Sequence, residues 1–213
     1  PLAERVSPWT VWGAAVAAVL LASLVPRLAH RTREGSWTPS MVDPRLCTGC
    51  DQCTQDCPWE AITMVARTDA RPTLVALVDP TLCVSCGICA GSCAPMGVGP
   101  PGRTGRDQLT QVRSALPRAL PSAQLDDRVV VVCCLQTSPT VRRRLAAAGA
   151  RLHEVPCVGA VHSSVVELLV RQGAAGVMIA ACPPRDCVGR EGPKWLEQRF
   201  FHDREAELAA AAG

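Results

Sequence analysis

The stretch VDPRLCTGCDQCTQDCP at residues 42–58 decides how the first part of the chain folds, because it returns as VDPTLCVSCGICAGSCAP at residues 78–95. All four cysteines of one copy match those of the other at an offset of 36 residues (42 to 78). Between the copies, TLVALVD (73–79) alternates apolar residues and predicts a short strand. Two copies of one small unit predict a pseudo-twofold domain with little apolar core, held together by what it binds.

The spacing of the cysteines in each copy, C-x2-C-x2-C-x3-C, predicts an iron–sulfur site. Three thiolates on one tight loop can surround one cluster, and in two-cluster ferredoxins the fourth cysteine of each run ligates the other cluster. Zinc sites usually pair two C-x2-C hooks far apart, so a zinc-bearing structural adaptor is the lesser alternative. We predict two [4Fe–4S] clusters, one held by Cys47, Cys50, Cys53 and Cys93, the other by Cys83, Cys86, Cys89 and Cys57.

On this motif, and on the CPWEAI at residues 57–62, residues 42–98 resemble a bacterial two-[4Fe–4S] ferredoxin domain, whose expected bounds are 40–98. The resemblance implies an α+β ferredoxin-like fold and one-electron transfer. The second copy departs from the pattern, because Ala94 separates its fourth cysteine, Cys93, from Pro95. That departure changes the local loop and leaves the predicted ligands in place.

Residues 99–127 are expected to form a linker with a short helix at about 107–116. Gly97, Gly99 and Gly102 have the G-x-G-x-x-G form of a dinucleotide-binding turn. No strand precedes these glycines, and two prolines occupy the turn that should open a helix. We therefore expect no dinucleotide site here.

From residue 128 to 213 the pattern changes to strands alternating with helices. RVVVVC (128–133), RLHEVPC (151–157) and GVMIAAC (176–182) predict three strands, with helices between them. Ser138 can cap the first of these helices, which Gly149 ends. Strands joined by helical segments predict a small α/β domain with a parallel sheet.

Four cysteines follow the ends of these strands. Cys134 ends the first strand, Cys157 the second and Cys182 the third, and Cys187 comes five residues later. Ligands of open parallel sheets gather at the carboxyl ends of the strands, so these thiols are expected to meet. The alternative is a set of buried structural cysteines, which are common in apolar strands.

The stretch VPCVGAVHSSVVELLVRQGAAGVMIAACPPRDCVGREG (155–192) resembles the delta subunit of methyl-viologen-reducing hydrogenase, a domain also fused to heterodisulfide-reductase-type proteins. The resemblance covers about 128–200 and implies a [2Fe–2S] cluster and electron exchange with a flavin-containing partner. That family usually has C-x2-C after its first strand, but Thr137 takes the place of the second cysteine here. The candidate ligands are Cys134, Cys157, Cys182 and Cys187, with Cys133 as the alternative to Cys134.

The N-terminal segment, residues 1–34, contains an uncharged apolar stretch, VSPWTVWGAAVAAVLLASLVP (6–26). At about 1.5 Å per helical residue this stretch would just span a hydrocarbon core of roughly 30 Å. Arg27, Arg31 and Arg33 follow it, which predicts a single-pass helix in the inner membrane with the remaining chain on the cytoplasmic side. A signal peptide and a buried helix are the alternatives.

Together these patterns predict a membrane-anchored electron-transfer subunit that contains two [4Fe–4S] clusters and one [2Fe–2S] cluster. Its predicted partners are a flavoprotein or hydrogenase-type donor and a quinone-reactive or cytochrome b-like membrane subunit. No substrate site is evident, and the basic residues form no stripe of the kind that binds nucleic acids. The alternative function is thiol–disulfide chemistry of the heterodisulfide type at Cys133 and Cys134.

Overall fold

The computed structural model describes residues 9, 12–20, 22, 38–69, 71–115 and 129–202 of the chain. The chain divides into two compact units, Pro1–Trp37 and Thr38–Gly213. In the first unit the described residues are helical and exposed.

Among the residues that the structure describes, no helix has both the length and the apolar character needed to cross a bilayer. This finding corrects the predicted fold class, which included a transmembrane helix over 6–26, and the inner-membrane location inferred from that helix. The predicted membrane partner was inferred from the same helix and stays a prediction. The arginines that set the predicted orientation lie outside the described residues.

The first part of the second unit, here called the repeat half (residues 38–99), consists of short elements around the two cysteine runs. They are β1 (Met41–Val42), α1 (Gln52–Gln55), β2 (Ile62–Ala66), β3 (Leu74–Val78), α2 (Ile88–Ser92) and β4 (Val98–Gly99). β2 and β3 form an antiparallel hairpin, with Ile62 opposite Val78, and β1 and β4 also pair antiparallel. The strand predicted between the copies is therefore present as β3.

The repeat appears in the structure as two equivalent turns. α1 and α2 each begin one residue before the third cysteine of their copy, and 36 residues separate their starts (52 to 88). The preceding residues, Asp51 and Gly87, have positive φ angles of 62° and 82°. This left-handed turn lets each run fold back on itself, so that three cysteines face one space.

The rest of the described chain, here called the sheet half (105–115 and 129–202), is a mixed α/β structure. Its elements are α3 (Gly105–Ala115), β5 (Val129–Cys134), α4 (Pro139–Ala147), β6 (Arg151–Val155), α5 (Ser163–Arg171), β7 (Gly176–Ala180) and α6 (Gly192–Phe201), with 3₁₀ turns at Val158–Ala160 and Pro184–Asp186. The strands form a parallel sheet in the order β6-β5-β7. The carboxyl ends of all three strands therefore meet at one edge.

The ends of the helices follow from local sequence. Ser138 accepts a hydrogen bond from the Thr140 N–H at 3.3 Å and caps α4, and Gly149 follows that helix at a φ of 87°, as the sequence predicted. Thr104 and Asp107 exchange side-chain and backbone hydrogen bonds at the start of α3, which is a capping box with aspartate in place of glutamate. α3 corresponds to the short helix that the sequence predicted at about 107–116 within the linker segment.

Each half has its own apolar cluster. In the sheet half, alternate residues of β5 pack with α3, α5 and α6, and the buried members are Val112, Val130, Val132, Cys134, Val158, Val161, Val165, Leu169 and Leu196. In the repeat half the buried members are Cys53, Ile62, Ala76, Cys89, Cys93 and Val98. The halves meet where α2 packs against the 3₁₀ turn Val158–Ala160 and against α6. This contact places the second cysteine run beside the edge of the sheet.

Candidate iron–sulfur centres

The first group of cysteines lines a cavity in the repeat half. Three of them, Cys47, Cys50 and Cys53, come from the first run, and Cys93 reaches the cavity from the second. Val42, Met64, Ala76 and Val98 are among the apolar residues of its wall. The space between these residues that no protein atom fills, including the part open to solvent, is about 340 Å³.

The second group lines a matching cavity, where the unfilled space, again including the part open to solvent, is about 300 Å³. Here the second run supplies Cys83, Cys86 and Cys89, and the first run supplies Cys57. The structure thus brings together the two groups of four that the motif predicts, including the exchange of the fourth cysteine. Two cavities of similar size with equivalent linings suit two equal clusters, and cluster ligation by these thiols stays a prediction.

Backbone N–H groups are aimed at several of these sulfur atoms. Cys57 Sγ accepts from the Ala61 N–H at 3.4 Å, and Cys93 Sγ accepts from the Gly97 N–H at 3.2 Å. The two donors are again 36 residues apart, so the fourth cysteines have equivalent surroundings. Cys83 Sγ accepts a bond from the Ser40 N–H at 3.3 Å. Such bonds stabilise a thiolate, and around a cluster they tune its reduction potential.

The pKa values of the thiols show how poorly these sites suit free thiolates. Burial, together with the neighbouring thiols Cys93, Cys50 and Cys47, raises the pKa of Cys53 to about 12. Burial also raises the pKa of Cys89 and of Cys93. Thiolates crowded in an apolar cavity need a cation to balance them, and iron supplies that charge. Soft thiolate donors of this kind fit iron–sulfur clusters.

The third group forms at the carboxyl edge of the sheet. Burial and a hydrogen bond with the Cys134 thiol raise the pKa of Cys182 to about 11. Burial raises the pKa of Cys157 to about 12; a bond from the Gly159 N–H opposes this rise, and nearby thiols, Cys187 first among them, add to it. The four predicted cysteines of the sheet half therefore lie together, although 53 residues separate the first from the last (134 to 187).

Glycines make room for this third group. A Cβ atom on Gly192 would lie 2.7 Å from Cys157 Sγ, which is closer than real contacts allow, and 3.2 Å from Cys187 Sγ, which is a tight contact. A Cβ atom on Gly189 would lie 3.4 Å from Cys157 Sγ and 3.9 Å from Cys86 Cβ. The third group is therefore adjacent to the second.

Cys133 and Cys134 lie on opposite faces of β5, because neighbouring side chains of a strand alternate. Cys134 belongs to the face that packs with α5 and α6, and its Sγ lies 3.4 Å from the Pro156 carbonyl oxygen. Cys133 is fully buried on the other face, where burial and then the nearby Glu154 carboxylate raise the pKa of its thiol. A buried thiol with a raised pKa is a poor nucleophile, so nothing in this geometry favours thiol–disulfide chemistry at the pair.

In the described part of the chain, no three His, Cys, Asp or Glu side chains converge closely enough to hold a single metal ion. A [4Fe–4S] cluster makes no such demand, because each of its four irons takes one thiolate.

Three arginines contact the cysteine runs, and the sequence did not predict these contacts. The Arg67 guanidinium, whose side chain is 1% exposed, donates to the Cys47 carbonyl oxygen at 3.1 Å. Arg103, 36 residues later, donates to Ser85 Oγ within the second run at 2.6 Å. Arg190 stacks on Trp59 at 3.9 Å and donates to the Pro58 carbonyl oxygen at 3.0 Å. Arg67 and Arg103 are separated by the 36-residue offset of the repeat, so the sequence could have indicated them. Arg190 belongs to the sheet half, and no local sequence pattern indicates its contact.

Two family models match the chain. Residues 46–97 match the 4Fe-4S dicluster domain, and residues 127–207 match the delta subunit of methyl-viologen-reducing hydrogenase. No curated protein and no solved structure matches the chain. The first model covers both cysteine runs, and the second covers the sheet and the third group of cysteines. The chain thus joins a 4Fe-4S dicluster ferredoxin domain to a domain of the methyl-viologen-reducing hydrogenase delta-subunit type.

Proposed function

We propose that the chain is the electron-relay subunit of a redox complex and exchanges electrons with a flavin-containing or hydrogenase-type partner. The adjacency of three cysteine groups within one compact unit carries the proposal. A relay needs its centres close together, because electron transfer slows steeply with distance. Cys86 of the second group and Cys157 of the third both lie within 4 Å of the position that a Cβ atom on Gly189 would occupy.

In this proposal the repeat half holds two [4Fe–4S] clusters. The first is bound by Cys47, Cys50, Cys53 and Cys93, and the second by Cys57, Cys83, Cys86 and Cys89. Each cluster supplies one-electron oxidation and reduction when bound. The chain contributes a largely apolar cavity and the N–H groups of Ala61 and Gly97, which donate to the fourth cysteines.

The finer part of the proposal is a [2Fe–2S] cluster at the third group. Each iron of such a cluster takes two thiolates. The cysteines of this group are arranged as two pairs, because Cys134 and Cys182 share a hydrogen bond, while Cys157 and Cys187 lie side by side against Gly192. We assign one pair to each iron. The burial of Cys133 on the opposite face of β5 supports Cys134 as the ligand.

Electron paramagnetic resonance on anaerobically purified, reduced protein tests this proposal. The unaltered chain should show [4Fe–4S] signals and one [2Fe–2S] signal. Cys134→Ser should remove only the [2Fe–2S] signal, and the matched Cys133→Ser should keep all of them. A chain without a [2Fe–2S] signal, or a signal lost with Cys133 and kept without Cys134, would overturn the assignment of the third site.

A further inference from the structure

One arginine of the sheet half reaches into the repeat half. Arg199 lies in α6, and its side chain is 1% exposed. Its Nη1 donates to Ser92 Oγ at 3.0 Å and lies 3.6 Å from Asp56 Oδ2. Its Nη2 donates to the carbonyl oxygen of Gly159 in the sheet half. The guanidinium therefore joins the two halves through polar contacts that exclude solvent.

The partners of this arginine occupy equivalent places in the repeat. Asp56 directly precedes Cys57, and Ser92 directly precedes Cys93, which are the fourth cysteines of the two runs. The two residues are 36 positions apart, and Ser92 Oγ donates to Asp56 Oδ2. Arg199 thus contacts the crossing point of the pseudo-twofold repeat, where each run delivers its cysteine to the other cavity.

The surroundings leave a space shaped for this side chain. A Cβ atom on Gly91 would lie 2.6 Å from Arg199 Nη2 and 2.9 Å from the Gly159 oxygen. Any larger residue at position 91 would push the guanidinium away from Ser92. The missing side chain at position 91 thus lets the guanidinium lie against the backbone of α2.

A second residue of the sheet half holds the same segment. His162 is 3% exposed, and its Nδ1 accepts a hydrogen bond from the Ser164 N–H at 3.2 Å. Its Nε2 therefore has the proton and donates to the Cys93 carbonyl oxygen, 3.2 Å away. Ser92 and Cys93 are thus both fixed by side chains from outside the repeat half.

Charges at this point bear on both ferredoxin clusters. Reduction adds negative charge to a cluster, so a nearby cation favours the reduced state and a nearby anion disfavours it. The field of a buried charge is weakly screened, because little water separates it from its surroundings. Arg199 balances the Asp56 carboxylate, which is fully buried beside Cys57.

We propose that Arg199 is a positioning residue that fixes both fourth cysteines and, by balancing Asp56, sets the reduction potentials of both [4Fe–4S] clusters together. This role rests on the proposed function. It makes the sheet half part of the environment of clusters that it does not ligate. The potentials of the ferredoxin domain would then depend on a residue more than 100 positions away (92 to 199).

Redox titration followed by electron paramagnetic resonance tests this role. Arg199→Met leaves the Asp56 carboxylate unbalanced, so both [4Fe–4S] potentials should fall. The reduced-to-oxidised ratio at a fixed potential should drop at least tenfold, which is about 59 mV for one electron. Arg199→Lys should keep most of the native value. Arg171→Met, which removes an exposed arginine paired with Glu167, should shift neither cluster.

Two further variants keep the proposal open to refutation if Arg199→Met fails to fold. Asp56→Asn leaves the guanidinium unbalanced and should raise both potentials, and Arg199→Met with Asp56→Asn should return them toward the native values. Shifts confined to one cluster, a fall in Asp56→Asn, or a double variant no closer to native than Arg199→Met would overturn the role of Arg199. Absence of [4Fe–4S] signals from the unaltered chain would instead overturn the proposed function.

Discussion

The repeat half and the sheet half bring their cysteines together by different means. In the repeat half, eight cysteines lie in two runs, 47–57 and 83–93, and each run folds directly around a cavity. In the sheet half, the four cysteines spread over residues 134–187 and meet only because three parallel strands end at one edge. The first kind of site needs little folded protein around it, whereas the second exists only once the sheet has formed.

The buried cores of the two halves also differ in how much of each core consists of cysteine side chains. Three of the six buried residues in the core of the repeat half are cysteines, against one of nine in the sheet half. We therefore expect the repeat half to depend on its clusters for stability more than the sheet half does, since the larger core of the sheet half is mostly apolar side chains. Metal sites whose ligands make up much of a small core contribute directly to folding.

Removal of iron should produce the largest difference between the halves. We expect the apoprotein to lose hydrogen-exchange protection throughout β2 and β3, because the cavities between the two runs would stay empty. β5, at the centre of the sheet, should keep most of its protection. Equal loss of protection in both halves would show that the sheet also depends on iron.

A substitution at Gly192 should affect the third cysteine group and leave the two [4Fe–4S] sites unchanged. The new Cβ atom of Gly192→Ala would lie 2.7 Å from Cys157 Sγ, so the [2Fe–2S] signal should be lost or strongly reduced while the [4Fe–4S] signals stay. Gly176→Ala is the matched control, because a Cβ atom there would meet nothing within 4 Å. Electron paramagnetic resonance of both variants compares their signals. An unchanged [2Fe–2S] signal in Gly192→Ala would contradict the placement of the [2Fe–2S] cluster beside Gly192.

A cavity in the core of the sheet half should weaken that half without removing clusters from the repeat half. Leu169 of α5 is 2% exposed within the sheet core, so Leu169→Ala should lower the free energy of unfolding by about 2–5 kcal/mol. Urea unfolding followed by circular dichroism measures the loss. The visible absorbance of the [4Fe–4S] clusters should be unchanged in the absence of urea. Loss of that absorbance in the folded variant would show that the two halves are not independent.

The smallest expected effect lies at the start of α4. Ser138→Ala removes the oxygen that accepts from the Thr140 N–H, so the free energy of unfolding should fall by about 1 kcal/mol. The same urea experiment measures this loss. Ser114→Ala is the control, because Ser114 is exposed and lies near the C-terminal end of α3, where a serine does not cap the N-terminus of a helix. A loss as large as that of Leu169→Ala would mean that α4 contributes more to the sheet than its exposed surface suggests.

The sequence indicated the grouping of the eight cysteines in the repeat half, because the ligand spacing and the offset between the runs are local. It also indicated the parallel sheet and the cap at Ser138, since strand ends and capping residues leave short-range signals. The contact of Arg199 with Asp56 and Ser92 had no such signal, because it depends on how two halves pack. The prediction of a membrane helix over 6–26 was wrong, because it rested on apolar composition alone, and no helix among the described residues is long and apolar enough to cross a bilayer.

The central claim is that the two cysteine runs bind two [4Fe–4S] clusters and that the edge of the sheet binds a separate [2Fe–2S] cluster. A Mössbauer spectrum of the ⁵⁷Fe-labelled, anaerobically purified chain tests this claim most directly. Two [4Fe–4S] clusters and one [2Fe–2S] cluster predict about ten irons per chain, with about one fifth of the iron in the [2Fe–2S] component. A spectrum with all of its iron in [4Fe–4S] components, at about eight irons per chain, would contradict the account of the sheet half.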